Sequence, residues 1–473
     1  MFAGALVAAG FAAPAYAAEL LVTTSADSGP GSLRDALAEA AKGEGDAQIF
    51  VTTGDDIEIE TPLVYEGTAP LGLYGSGQVI KSDKNVNLLS VSNGADLTVN
   101  NLSFQGPGGF SLEHRGDTDG PAGKGIFIGV PQDRTGIVHL DLQKVSVSDV
   151  AGHGVHVSDC SLADACGNGG GGAGSGSPAS VSVRLTDVEI SNAGQGRFDG
   201  DGLRVDERSE GDIVFHAQHS KFTGMGADGV ELDEGEAGSV IATAIDSAFN
   251  ENGTYCDPKL LKSFLPKDAK GKFEDGEMAE ADVPPAITGS PDDACIEREV
   301  KLYESGSVKK YEIAIDLDDG FDIDEAGEGD LIAVLSDLEV KDNKDEGIDF
   351  DEADAGKVSF AFRDGEVEGQ TDDGVKISEE GADGVTALVH DVSSKKNGGK
   401  GVVFEQEDEG DIDVVVVKLE TSGNDHGDKT GLEVVQDGDG KGTLIVRDSN
   451  IEDGIDAEGV EVKDETMEKR ASR

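Results

Sequence analysis

The stretch Asp330–Gly356, DLIAVLSDLEVKDNKDEGIDFDEADAG, is followed without a gap by Lys357–Asp383, KVSFAFRDGEVEGQTDDGVKISEEGAD, and by Gly384–Gly410, GVTALVHDVSSKKNGGKGVVFEQEDEG. Each is 27 residues long, and Asp212–Gly238, DIVFHAQHSKFTGMGADGVELDEGEAG, repeats the length and the pattern. Every unit holds a long alternating run such as KVSFAFRD, a short run such as GEVEG, and a third run that opens G-Φ-x-Φ, where Φ is apolar. Period-two alternation marks each run as a half-buried strand, and the Gly, Asp and Asn between them mark turns. No helical stretch supplies a crossover, and one unit cannot bury its apolar face alone. The spacing therefore predicts three-strand coils stacked in parallel, each completing the core of the next.

The G-Φ-x-Φ run recurs at Gly125, Gly154, Gly202, Gly229, Gly320, Gly347, Gly374, Gly401, Gly431 and Gly459, with a weaker turn around NLLSVS at Asn87–Ser92. This makes about eleven coils and, at roughly 4.8 Å per coil, a rod on the order of 50 Å long. The composition agrees. Hydrophobic residues are 37%, aromatics 5%, Trp is absent and Gly numbers 67, so the core is built from Val, Ile, Leu, Ala and Phe between frequent turns.

The chain carries 96 acids against 38 bases, a formal charge of -58, which excludes nucleic acid and anionic membrane surfaces as direct partners and makes cations the natural counterpart. The N-terminus, MFAGALVAAGFAAPAYAAE, is an Ala-rich apolar run ending in Ala15-Tyr16-Ala17, the small-x-small pattern of a signal peptidase site, although no Lys or Arg precedes it. Residues 1–17 are expected to be removed on export, which places the mature protein outside the cell, at its surface or in the periplasm. No later run approaches the length of a membrane span. In an exported chain the four cysteines are expected as two local disulfides, Cys160 with Cys166 and Cys256 with Cys295.

In each G-Φ-x-Φ strand the Φ residues point in, so the residues between them point out. The first outward position reads Phe127, His156, Arg204, Glu231, Asp322, Asp349, Lys376, Val403, Glu433 and Glu461; the second reads Gly129, Ser158, Asp206, Asp233, Asp324, Asp351, Ser378, Glu405, Val435 and Lys463. Four central coils thus stack seven carboxylates and one Arg on one face. Like charges about 4.8 Å apart repel by roughly 1 kcal/mol in bulk water and about 3.5 kcal/mol at an effective dielectric of 20, so something must offset them. Salt, protonation, Arg204 with Lys376, or bound divalent cations would do so, and Ca²⁺ suits an all-oxygen site made by Asp206, Glu231, Asp233, Asp322, Asp324, Asp349 and Asp351. The acids before each strand (Asp201, Asp228, Asp319, Glu346, Asp373) and after it (Glu207, Glu234, Glu325, Glu352) extend this cluster. No EF-hand loop and no G-G-x-G-x-D repeat is present. A second column, Asp187, Asp246, Asp337, Asp364, Asp391 and Asp448, falls where the long run turns into the short one and reads as structural, its carboxylates accepting from turn amides.

The coil pattern resembles the right-handed parallel β-helix proteins of the pectate-lyase-like superfamily. The segment LLVTTSADSGPGSLRDALAEAAKGEGDAQIFV is similar to the N-terminal segment of secreted bacterial β-helix surface proteins: Ser32 and Asp35 start a capping box, and Leu33, Ala36, Leu37 and Ala40 form the apolar stripe of a short capping helix. The expected layout is a cap and lead-in at 18–65, a β-helix at 66–466 interrupted by an insertion at 253–310, and a polar tail at 467–473. In pectin-degrading relatives the same face carries Asp residues that hold Ca²⁺ or act as acid and base. The resemblance therefore implies Asp206, Asp233, Asp324 and Asp351 as candidate catalytic carboxylates, Arg204 as base or substrate clamp, and His156 as proton carrier. Against a close match, GHG at Gly152–Gly154 precedes TDDG at Thr371–Gly374, the reverse of the polygalacturonase order, and no G-x-S-x-G or H-E-x-x-H signature occurs. On their own, His153 and His156 read as turn and surface residues. The insertion holds Tyr255 and Tyr303, with Tyr311 at its end; they serve either to stack on sugars or to build a small loop core.

Two readings of function follow. The first is a secreted β-helix surface or matrix protein binding glycan or cell-surface material, with Ca²⁺ on the acidic face. The alternative is a polysaccharide lyase or glycoside hydrolase on the same face, and a purely structural rod is a third class.

Overall fold

In the long runs every second side chain enters the core: Leu331, Ala333 and Leu335 are fully buried while Ile332, Val334 and Ser336 face outward. That alternation, repeated coil after coil, fixes the register. Val358–Glu368 pairs in parallel with Leu331–Lys341 on one side and Val385–Lys395 on the other. Ile348–Asp354 likewise lies between Phe321–Gly327 and Val375–Glu379. The structure, a computed structural model, describes residues 18–110, 123–160, 176–196, 200–256, 258–285, 295–303, 305–315, 317–427 and 430–464. Two parallel sheets run its length, one of 20 strands built from the long and short runs and one of 12 strands built from the G-Φ-x-Φ runs. The chain is a right-handed parallel β-helix, as the repeat predicts. Residues 1–17, the expected signal segment, lie outside the described residues. No helix among the described residues is long and apolar enough to cross a membrane.

The core is one continuous cluster from Val22 to Val446. At its centre Phe222, Phe249 and Phe321 stack face to face with ring centroids 5.1 Å apart, and Phe350 meets Phe321 edge-on at 5.0 Å. Close stacking also dictates glycine: a Cβ on Gly356 would lie 1.5 Å from the carbonyl oxygen of Gly329 in the preceding coil. At the N-terminal end the helix Leu33–Ala40 buries Leu33, Ala36, Leu37 and Ala40, and Ser32 caps it by accepting from the Asp35 N–H at 3.2 Å. The strand Ala18–Val22 joins the larger sheet beside Ala47–Val51.

Two polar columns differ from the sequence reading. The aspartates at 187, 246, 337, 364, 391 and 448 adopt left-handed backbone with φ between 47° and 60°, which bends the long run into the short one. The stacked side-chain amides lie elsewhere, at Asn252, Asn343, Gln370, Asn397 and Asn424, all buried. Asn252 donates to Asn343, Asn343 to Gln370 and Asn397 to Asn424, each at 3.0 Å. The sequence also places Glu207, Glu234, Glu325 and Glu352 on the outer acidic face. They point inward instead, because the alternation carries on past the second outward residue, and they are at most 1% exposed. Glu379, Gln406 and Gln436 continue the same column. Glu234 accepts from the N–H of Gly238 at 3.0 Å, and Glu379 from Gly381 at 2.9 Å. Burial, followed by neighbouring carboxylates, pushes Glu325 and Glu352 up to about 8 and Glu207 up to about 10. These side chains therefore carry protons at neutral pH, and Gln406 and Gln436 occupy the equivalent rungs as permanent neutral counterparts.

One further correction concerns the last coil. Val460–Asp464 pairs with Gly442–Arg447 in the larger sheet, so the run after Gly459 is not a rung of the smaller one. Ile455–Glu458 takes that place, setting Asp456 beside Glu433 and Glu458 beside Val435, and Glu461 and Lys463 leave the outward columns. The final coil is shorter than the repeat, which brings its long-run strand round early.

Two measurements test this account. Phe350→Ala should cost about 3–5 kcal/mol by denaturant unfolding, since it opens a cavity inside the phenylalanine stack. Native Glu352 holds its proton up to about 8, whereas the unfolded chain releases it near 4.5, so its contribution is complete below pH 4.5 and is lost as pH rises toward 8. Glu352→Gln should consequently raise the melting temperature at pH 8 in EDTA while leaving it nearly unchanged at pH 4.5; equal effects at both values would contradict a proton-bearing column.

Candidate functional site on the twelve-stranded sheet

The outward residues of the smaller sheet form the two columns that the alternation predicts. His156 stands beside Arg204, Arg204 beside Glu231, Glu231 beside Asp322, Asp322 beside Asp349 and Asp349 beside Lys376. In the second column Ser158, Asp206, Asp233, Asp324, Asp351 and Ser378 follow one another in the same register. The face divides into two unlike halves.

In the N-terminal half the charges are buried and paired. Arg204 donates to Asp206 at 2.8 Å, to Glu231 at 2.5 Å and to Asp233 at 3.2 Å. Arg208, 1% exposed, makes a two-pronged contact with Asp233. His156 is wholly buried, with Nε2 2.6 Å from Asp206 and Nδ1 2.7 Å from the Lys124 amine. Burial, Lys124 and His153 depress His156 to about 3, so the ring is neutral, donating from Nε2 and accepting at Nδ1. Burial works against the Asp206 carboxylate, but Arg204 and His156 hold it well below the usual carboxylate range. His153 sits 3.1 Å from Asp201 and is also buried. His153 lies in the turn before Val155–Ser158, as the sequence suggests, but its ring is buried, and His156 is not the surface residue expected. Lys124 and Arg208, which the pattern does not single out, complete this network because they lie just outside the G-Φ-x-Φ rungs.

In the C-terminal half, Asp322, Asp324, Asp349 and Asp351 are only part-buried. Burial and neighbouring carboxylates hold Asp322 and Asp324 well above the usual range. Asp349 is pushed up to about 7 by burial and by Asp351, even with the Lys376 amine 2.6 Å away. Ser378 donates to Asp351. Glu231, Asp322 and Asp324 each offer an oxygen within 4.8 Å of the others, and one oxygen of Asp349 is buried with no hydrogen-bond partner. An all-oxygen donor set with unsatisfied capacity fits a hard divalent cation such as Ca²⁺. Asp206 and Asp233 are less suited, since Arg204 and Arg208 already neutralise them, and Glu231 at the edge of the set shares its carboxylate with Arg204, which leaves the aspartates as the main donors.

The insertion leaves the helix after Val240–Asn250 and returns at Phe321–Gly327. It folds as an antiparallel sheet of Lys270–Lys272, Ile296–Leu302 and Val308–Ile315. The Cys256–Cys295 disulfide closes it, with a Cα–Cα distance of 5.5 Å, whereas Cys166, the expected partner of Cys160, lies outside the described residues. Tyr255 and Tyr311 are buried in its two small cores and the Tyr303 hydroxyl donates to the Phe273 carbonyl, so these tyrosines build the insertion. Lys301 pairs with Glu380 and with Glu407, the latter at 3.5 Å. Both glutamates directly follow strands of the smaller sheet, so Lys301 ties the insertion to the C-terminal ends of those strands.

No protein-family model matches the chain, and no curated protein matches it. Among solved structures, pectate lyase Pel9A aligns over 95% of this chain and 80% of its own, at 13% identity and a TM-score of 0.34. The Azotobacter vinelandii mannuronan C-5 epimerase AlgE6 A-module aligns over 94% and 99%, at 8% identity and a TM-score of 0.33. The enzymatically active domain of bacteriophage CBA120 tailspike protein 2 aligns over 86% of this chain, at 10% identity and a TM-score of 0.35, and the chain spans only 43% of its length. These are likenesses of chain path, and the β-helix itself rests on the strand register described above.

Proposed function

We propose that the protein is an exported β-helix of the cell surface or extracellular matrix, whose acidic face binds glycan through Ca²⁺. The observation that carries this reading is the half-buried quartet Asp322, Asp324, Asp349 and Asp351, in two registered columns where, among the described residues, Lys376 supplies the opposing charge at the C-terminal side. Stacked carboxylates at the coil spacing repel, and a divalent cation relieves them while keeping coordination positions for outside oxygens. Glycan hydroxyls or uronate groups would fill those positions. A bare polyanion would be repelled by a chain of net charge -58, so a neutral glycan or a cation-bridged uronate is the matching ligand. Export is supported by the Ala15-Tyr16-Ala17 pattern together with the Cys256–Cys295 disulfide, which suits an oxidising compartment.

A second reading, a polysaccharide lyase or glycoside hydrolase, is favoured by one specific feature. Asp349 titrates near neutrality beside Asp351, an arrangement that serves general acid–base chemistry, with Asp324 one rung away. The other half of the face favours binding over catalysis, since His156 and Arg204 are engaged with carboxylates and buried.

Adding millimolar CaCl₂ should raise the melting temperature by several degrees beyond NaCl of equal ionic strength, and Asp322→Asn with Asp324→Asn should remove most of that gain. Equal melting temperatures in the two salts would eliminate the metal. A panel of neutral and uronic polysaccharides should show Ca²⁺-dependent binding without new reducing ends or unsaturated products; products that vanish in Asp324→Ala would establish the enzyme instead.

A further inference from the structure

The outer face of the larger sheet contrasts with the rest of the molecule. Its long runs, from Ala179–Thr186 to Gly442–Arg447, align three outward columns over eight strands in unbroken register. Asp413 is the one carboxylate in those columns, where the chain's overall share of 96 acids in 473 residues would put several. A continuous apolar band crosses them. Val214, Ile241 and Ile332 follow one another in the first column, and from the Ile332 strand the band steps to Val334, Ala361, Leu388, Val415 and Ile445 in the second. Val334 is 45% exposed, Val214 38% and Ile241 37%, and their alternation partners are the buried core residues, so these side chains face solvent.

Arg184, Arg363 and Arg447 stand in the same columns, and the left-handed aspartates at 246, 337, 364, 391 and 448 line one edge. An apolar centre with a charged margin is the anatomy of a protein–protein interface. Eight strands at about 4.8 Å by three outward positions cover on the order of 750 Å² per copy, close to the roughly 800 Å² per partner of a standard stable interface.

We propose that this face is where a second copy of the chain docks, giving a face-to-face dimer. The surface is self-complementary, because the apolar band meets itself across a two-fold axis while the arginines of one copy face the aspartate margin of the other. Electrostatics selects this occupant's orientation. Two copies of charge -58 repel through every acidic surface, whereas contact through the columns that hold one carboxylate turns the acidic faces outward and away from each other.

The test is the mass of the full chain by sedimentation velocity from about 1 to about 100 μM, in low and in about 0.5 M NaCl. A concentration-dependent shift from monomer to dimer is expected, strengthened by salt, because salt screens the repulsion and leaves apolar contact intact. Val334→Asp with Leu388→Asp should weaken dimerisation at least tenfold with the melting temperature little changed, and Lys272→Asp, in the insertion, should leave it unaltered. Should the double aspartate variant lose its circular dichroism spectrum, Val334→Thr with Leu388→Thr takes its place and should weaken the dimer in the same direction. A monomer at every concentration and salt, a dimer indifferent to the face variants, or association that continues beyond two copies would each overturn the proposal.

Discussion

Parallel stacking in register is the constraint from which the rest of this molecule follows. Main-chain hydrogen bonds hold each coil about 4.8 Å above the last, so a residue choice made in one coil is met by its equivalent in the next. Positions become columns, and the energetics of a column depend on what repeats in it. Phenylalanines pack favourably on one another, as from Phe222 to Phe350; amides satisfy one another, as Asn252 and Asn343 do. Carboxylates repel, and three groups of them stand differently toward that cost.

Facing out in the N-terminal half, Asp206, Glu231 and Asp233 are matched by Arg204 and Arg208. Facing in, the column through Glu325 and Glu352 keeps its protons, and farther along the helix glutamine replaces the acid. Facing out in the C-terminal half, Asp322, Asp324, Asp349 and Asp351 have neither remedy in full, with Lys376 as the adjacent amine. Of the three groups this one is still short of positive charge, and for that reason the functional reading rests on it.

How much of this was legible beforehand varied with how regular the signal was. The 27-residue period and its Φ-x-Φ core carried the coil, the parallel register and both outward columns, because those depend on alternation alone. The inward turn of Glu234 was implicit in the same alternation, with Val230 and Leu232 inside, but two adjacent acids at 233 and 234 read as one exposed run. The amide column was hidden by spacing: Asn252 and Asn343 are neighbours in space, yet the insertion separates them by 91 residues. Lys124 and Arg208 were beyond reach of the pattern, since their roles depend on side chains reaching across from positions outside the repeat.

The tightness of the repeat gives the molecule a property unusual among folded domains, an adjustable length. The coil Lys357–Asp383 meets the coils before and after it through the same columns: apolar on apolar in the core, amide on amide at the turn, glycine under carbonyl at the bend. A chain that lost or duplicated such a unit would present equivalent surfaces at the new junction. Copy number, rather than any single substitution, would then set how long an acidic face the rod displays, so reach and valency could change by recombination while the chemistry of each rung stayed the same.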